Sequence, residues 1–277
     1  ADVAAHPPPD ADAAARLDLT HLPAFAIDEA STQEIDDALS VEILTTEGGS
    51  RRRLWVHIAD PTRYIELGSP LGREARRRGS SIYLPTETIP MFPMSLAAGP
   101  LSLRVGEAGC ALSVGIELNE AGGLDEATPP IITPSLVNTT RLTYDQVDAL
   151  LDPFALVDGE HDNENDGKSH DIENLETVVE CLRQLQYASE QRLRWRVDGG
   201  SLESIDPYEL PDMSVKVRRS PEALDGWRVD IKATERVAAN RIVAELMLAA
   251  NEAMALYGST HAVPLPFRAQ EMEAPSD

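Results

Sequence analysis

The sequence predicts an α+β fold, and three observations predict it. Segments with strand-like alternation and segments with helical spacing follow each other in mixed order. No internal repeat imposes a regular alternation. The chain of 277 residues, 42% hydrophobic, is long enough for a substantial core and one or two domains.

The elements follow in order. Residues 1–20 are rich in Ala, Pro and Asp and predict a disordered tail or linker, with the ordered part starting at "AFAID". "ALSVEIL" (38–44) alternates Leu39, Val41 and Ile43 with smaller or polar residues, as a half-buried strand does. A Gly-containing turn and "LWVHIAD" (54–60) complete a hairpin. "SPLGREARRRGS" predicts a short helix, with Ser69 as N-cap, Pro70 at the first position and Gly79 as the stop. "SIYLP" and "TIPMFP" are extended or turn segments, because proline biases its predecessor away from helix.

Residues 110–118 and 130–139 predict further strands, and 143–151 a helix. The stretch 158–174 is acidic and almost free of apolar residues, which predicts a disordered insertion. Long helices are expected over 175–197 and 234–258, the second stopping at Gly258, with a hairpin over 214–231 between them.

Charge and cysteine content narrow the function classes. A net charge of −23 argues against a generally basic nucleic-acid surface. It does not forbid a local basic channel, and "RRR" occurs at Arg51–Arg53 and again at Arg76–Arg78. Cys110 and Cys181 have neither disulfide-framework nor metal-ligand spacing and predict two reduced thiols. No apolar run is long enough to cross a bilayer, and residues 1–20 lack a signal-peptide pattern. A start at Ala1 rather than Met predicts a processed or partial chain.

The densest chemistry lies in "AIDEASTQEIDDALSVE" (26–42). Asp28, Glu29, Glu34, Asp36 and Asp37 place five acids within ten positions. Carboxylates sharing a small volume repel unless a cation neutralises them. Hard oxygen ligands suit Mg²⁺ or Mn²⁺, and two such ions can assist phosphodiester cleavage. The glycine-centred calcium-loop pattern is absent. A solvated acidic turn is the competing reading of the same residues.

Other residues attract attention on their own. Glu245 shares an apolar helical stripe with Ile242, Leu246, Ala249, Ala253 and Leu256, so it must be paired or bind something; Arg241 is the nearest partner in sequence. His57, in "VHIAD" with Asp60, has the chemistry of a general base but reads as a structural or positioning residue, since a metal-bound water needs no histidine. Arg73 and Arg76–Arg78 fit either an RNA path or a solvated helix face.

Several long motifs occur in an order that resembles the catalytic (RNB) domain of the ribonuclease II family. They are "IDEASTQEIDDAL", "VHIADPTRYIELGSPLGREARRRGSSIYLP", "IPMFP", "RLTYDQVDALL", "ANRIVAELMLAANEAMALYG" and "PLPFRAQ", spanning about residues 21–268. The wording is nearest the plastid and cyanobacterial branch. The resemblance implies an RNB-type catalytic fold, with mixed sheets surrounded by long helices, over 21–277. It implies a hydrolytic exoribonuclease that degrades single-stranded RNA from the 3′ end and releases nucleoside 5′-monophosphates, inside the cell in the cytoplasm or an organelle.

Carried over residue by residue, Asp28, Glu34, Asp36 and Asp37 become the Mg²⁺ (or Mn²⁺) ligands and catalytic acids. The family has aspartate where Glu34 stands, so the carboxylate here sits one methylene further out. Tyr83 matches a base-stacking tyrosine, Tyr144 a tyrosine that recognises the sugar, and Glu245 a ribose-contacting glutamate. Tyr208 is a candidate for the second stacking aromatic. The family's arginine-containing segment, which grips the scissile phosphate, has no match in these residues, nor do the flanking oligonucleotide-binding domains. The resemblance therefore implies a catalytic domain incomplete at its C-terminus. A non-catalytic RNA-binding or scaffold protein of the same fold is the alternative.

Overall fold

The structure, a computed structural model, describes residues 3, 6–46, 49–152, 175–200, 212–220, 226–234 and 238–268. The expected insertion at 158–174 and the candidate Tyr208 lie outside these residues.

The centre is a sheet that closes on itself. Its strands are β1 (Leu17–Asp18), β2 (Ala24–Asp28), β3 (Asp37–Thr46), β4 (Gly49–Ala59), β7 (Ala108–Ile116) and β8 (Ile131–Thr143). They run in the order β1-β8-β2-β3-β4-β7, and β8 also pairs with β7. Strand β8 makes closure possible through its length. Residues 131–138 pair antiparallel with β7, and 139–143 pair parallel with β2. A short hairpin of β5 (Ile82–Tyr83) and β6 (Thr88–Ile89) stands apart, as does the longer one of β9 (Asp212–Arg219) and β10 (Trp227–Thr234).

Side chains alternate between the two faces of each strand. One face carries Phe25, Ile27, Leu39, Val41, Leu54, Val56, Val114 and Ile116, all buried. The helices α3 (Tyr144–Leu151), α4 (Leu175–Asp198) and α5 (Ala238–Thr260) cover it. Their contributions include Val147, Leu182, Leu185, Ile242 and Leu246, so the larger core lies between sheet and helices. The other face points into the closed sheet, where Ala24, Ala26, Ala38 and Ala111 leave room for Trp55. Gly115 is required there, because a Cβ would lie 2.7 Å from the Trp55 ring.

The enclosed face also holds a polar thread. His57, fully buried, bonds through Nε2 to Ser40 Oγ (2.8 Å) and through Nδ1 to Ser113 Oγ (2.6 Å), and Ser113 meets Ser135 at 2.5 Å. Burial pushes the His57 pKa down to about 4, which keeps the ring neutral. A neutral imidazole with both nitrogens engaged is a structural linker between strands, as the sequence reading favoured.

Local signals account for most element ends. The helix α1 (Pro70–Arg78) begins at Ser69, whose side chain accepts from Gly72 N–H, and ends at Gly79 with φ 76°. Thr143 opens α3 with a capping box completed by Gln146. Asp60 caps the 3₁₀ turn Pro61–Arg63. A four-residue helix, α2 (Met94–Ala97), buries Leu96 and Ala97, and the Ala97 carbonyl accepts from Ser102 Oγ at 2.8 Å.

Three expectations need correction. The segment 1–20 is not a tail throughout. Leu17–Asp18 pair parallel with β8, Leu19 is buried, and Arg16 bonds to Asp10 (2.7 Å) and to Asp60 (2.9 Å). Composition hid this, because a single buried arginine and two strand residues are enough to anchor the segment. Gly258 does not stop α5, which runs to Thr260; the left-handed residue is Ala262, with φ 54°. Gly258 is small because Leu265 folds back upon it, and a Cβ would approach Leu265 Cδ1 to 2.6 Å. Leu256, expected on the buried stripe, is half exposed. Among the described residues no helix is long and apolar enough to cross a membrane, and Cys110 and Cys181 are both free thiols.

Candidate functional site

The acids gather at one end of the closed sheet. Asp28 ends β2 and Asp37 begins β3, and Phe25 pairs with Leu39 between these antiparallel strands. The connecting loop, 29–36, is fixed from several sides. Ile35 is buried, its N–H donates to Ser102 Oγ (2.8 Å), and its carbonyl accepts from Leu103 N–H (2.9 Å). The Asp36 carbonyl accepts from Ala59 N–H at 2.7 Å. Arg141, on the neighbouring β8, donates to the carbonyls of Glu29 (3.0 Å) and Thr32 (2.6 Å). The backbone bearing the carboxylates is thus held before any ligand arrives.

Electrostatics at this end are unfavourable for the protein alone. Burial, together with the charges of Asp28 and Asp36, pushes Asp37 up to about 6. Asp28 is raised by burial and by Asp36 and Glu29, against the pull of Arg141. Glu34 is raised by burial and then by Asp36. Crowding by protein atoms raises Asp36 too, although the residue reaches solvent. The Oε1 atom of Glu34 is buried with no hydrogen-bond partner.

Two tyrosines flank the acids. Tyr83 is 70% exposed, and its phenol is raised by burial and by the charges of Glu34, Asp36 and Asp28. Tyr144, at the start of α3, is pushed up to about 12 by burial and by Asp28, Asp37 and Glu29. The structure therefore brings Asp28, Glu34, Asp36, Asp37, Tyr83 and Tyr144 together.

Glu245 is placed elsewhere. It is fully buried on α5, and its Oε1 accepts from Arg196 Nη1 on α4 at 2.5 Å. The partner expected from helical spacing was Arg241; a residue on the facing helix takes the role. The charges that bear on Glu245 are those of Arg196, Arg192 and Arg241, and none of the four acids is among them. The basic run of α1 is also partly committed, since Arg77 and Arg78 both pair with Glu74 (2.7 and 2.9 Å).

The donor set suits a hard divalent cation. It offers raised carboxylates and one buried oxygen without a partner, while Arg141 already draws on the charge of Asp28. The side chains do not form a closed cage, because among the described residues no three His, Cys, Asp or Glu are disposed to hold one ion. Arg141 is the residue that motif reasoning passed over. The signal was available in "RLTYDQ", where an arginine stands three residues before the flanking tyrosine.

Fold and site define the class: an α+β protein whose closed sheet carries a tyrosine-flanked acidic site at one end. The RNB domain family matches residues 16–277, and the chain belongs to that family. It is similar to an uncharacterized ribonuclease of Synechocystis (39% identity over 98% of this chain and 35% of the relative). It is also similar to the chloroplastic/mitochondrial ribonuclease II of Arabidopsis thaliana (38% identity over 94% and 29%). These two bear out the placement near the cyanobacterial and plastid branch. Mycoplasma genitalium RNase R, solved in complex with double-stranded RNA, shares the fold at a TM-score of 0.73 and 24% identity, over 96% of this chain and 42% of that one. The chain spans about a third of the length of these curated relatives.

Proposed function

We propose that this chain forms the larger part of the catalytic domain of a hydrolytic exoribonuclease. Its substrate is single-stranded RNA, shortened from the 3′ end with release of nucleoside 5′-monophosphates. The observation that carries this reading is the gathering of four raised carboxylates on a pinned loop between two tyrosines. Family membership and relatives named as ribonucleases support it.

Asp28, Glu34, Asp36 and Asp37 would hold Mg²⁺ or Mn²⁺, which supplies Lewis acidity and a more acidic water at neutral pH. Glu34, one methylene longer than the family's aspartate, would offer its unpartnered Oε1. Arg141 keeps the ligand loop in place by holding its carbonyls. Tyr83 offers an exposed ring for a terminal base, and stacking suits an enzyme indifferent to sequence. Tyr144 lies beside Asp28 and Asp37, where a sugar would be oriented. Glu245 retains one unpartnered oxygen, Oε2, for a ribose hydroxyl, reached only if the Arg196 contact rearranges. The same reading places the protein inside the cell, in the cytoplasm or an organelle.

The test is incubation with 5′-labelled single-stranded RNA, with Mg²⁺ or with EDTA. A metal-dependent ladder shortening from the 3′ end is expected. The second reading, a non-catalytic RNA-binding member of the same fold, predicts binding without shortening under both conditions. Replacing Tyr83→Ala is expected to weaken RNA binding by roughly 1–3 kcal/mol, the worth of one base–aromatic stack. Unfolding should change little, because the ring is mostly exposed. Equal affinity for the variant and the parent in fluorescence anisotropy would remove Tyr83 from the site.

A further inference from the structure

The cleft beside the acidic loop has two unlike walls. Glu29, Glu34 and Tyr83 line one side. Strand β9 supplies the other, with Lys216 and Arg218 alternating with Val215 and Val217. The placement is anchored, because Val217 N–H donates to the Pro85 carbonyl at 2.9 Å, two residues beyond Tyr83.

A basic wall is not what a chain of net charge −23 would place there by chance. Its state of pairing is informative. Asp230 stands directly opposite Lys216 in the β9–β10 register. Both of its oxygens are already taken, one by Arg218 Nη2 and one by Arg228 Nε, each at 2.9 Å. Lys216 is exposed in the cleft and has no ion-pair partner among the described residues.

We infer that β9 forms a second substrate wall, in which Lys216 binds a backbone phosphate of single-stranded RNA while Tyr83 stacks on a base across the cleft. The inference rests on the exoribonuclease reading and adds a residue to it. A polyanion passing Glu29 and Glu34 meets repulsion, and a facing ammonium offsets it. Lysine suits a contact that must ignore sequence, because it is a point charge on a flexible stem with three rotatable donors. A cationic wall facing an aromatic platform is the arrangement by which single strands are held without base readout.

The experiment measures binding of the full chain to fluorescein-labelled single-stranded oligoadenylate, in EDTA so that nothing is cleaved, across a salt series. Lys216→Glu is expected to raise Kd roughly tenfold and to reduce the slope of log K against log salt by about 0.7, the share of one phosphate contact. Lys216→Arg keeps the charge on the fold and should bind within about twofold of the parent. Arg194→Glu makes the same charge change at an exposed position on α4 and serves as the control for net charge. If Lys216→Glu behaves like Arg194→Glu while Tyr83→Ala weakens binding, the β9 wall is overturned and the exoribonuclease reading stands. If the parent itself does not bind the oligonucleotide, both fall together.

Discussion

Changing Asp37→Asn should abolish metal-dependent RNA shortening and, in the same molecule, raise thermal stability in EDTA. The loss of activity follows if Asp37 is a ligand, since removing one preorganised charge-stabilising group commonly costs on the order of 10²–10³ in rate. The gain in stability follows from its surroundings. Burial and the charges of Asp28 and Asp36 push Asp37 up to about 6, so near neutral pH the fold holds a carboxylate it disfavours. Relief of that burden is worth on the order of 1–3 kcal/mol, discounted because the side chain is only partly buried. Asparagine keeps the shape and drops the charge. Mg²⁺ should reverse the order by binding the folded parent and stabilising it through mass action, while leaving the variant nearly unchanged. Scanning calorimetry of both chains, with EDTA and with Mg²⁺, separates these effects. A parent whose midpoint ignores Mg²⁺ would mean that the four carboxylates do not act as an ion site.

Removing the partner of the buried glutamate should strongly destabilise the α4–α5 interface. Arg196→Ala leaves Glu245 fully buried with neither carboxylate oxygen bonded, and breaking a buried pair in this way costs about 3–5 kcal/mol. The effect carries a pH signature. Burial already raises the Glu245 pKa above 4.5, while Arg196 pulls it down. Without Arg196 the pKa rises further. A carboxyl with a raised folded-state pKa binds its proton more tightly when folded, so the stability it permits is present at low pH and is lost as pH rises through the folded value. Urea unfolding should therefore show a smaller gap between variant and parent at pH 5 than at pH 8. A gap of equal size at both values would mean that the charge on Glu245 is not the cause. The double variant Arg196→Ala with Glu245→Leu should recover most of the loss, because an apolar side chain suits the stripe formed by Ile242 and Leu246.

Local signals in the sequence determined much of this protein. The alternation around Leu39, Val41 and Val56 specified buried strands, since a pleated strand sends successive side chains to opposite faces. Ser69, Gly79 and Thr143 marked helix ends, because orphan backbone groups there need specific partners or a left-handed residue. The acidic motif and its wording pointed to the site, and with it to the family. These features are carried by residues close in the chain, so they are legible without coordinates.

Tertiary structure alone decided what depends on residues far apart in the chain. Closure of the sheet rests on β8 pairing with both β2 and β7, and no local pattern states with which strands a strand will pair. Arg196 rather than Arg241 holds Glu245, because helix packing chose the partner across an interface instead of along one helix. Arg16 ties a segment of tail-like composition to Asp60, 44 residues away. The meeting of Tyr83 with the acids, and of Lys216 with the cleft opposite them, required the loop, the small hairpin and β9 to converge. Residue types and their spacing announced the chemistry; long-range pairing and desolvation set where those groups meet and how strongly each is charged.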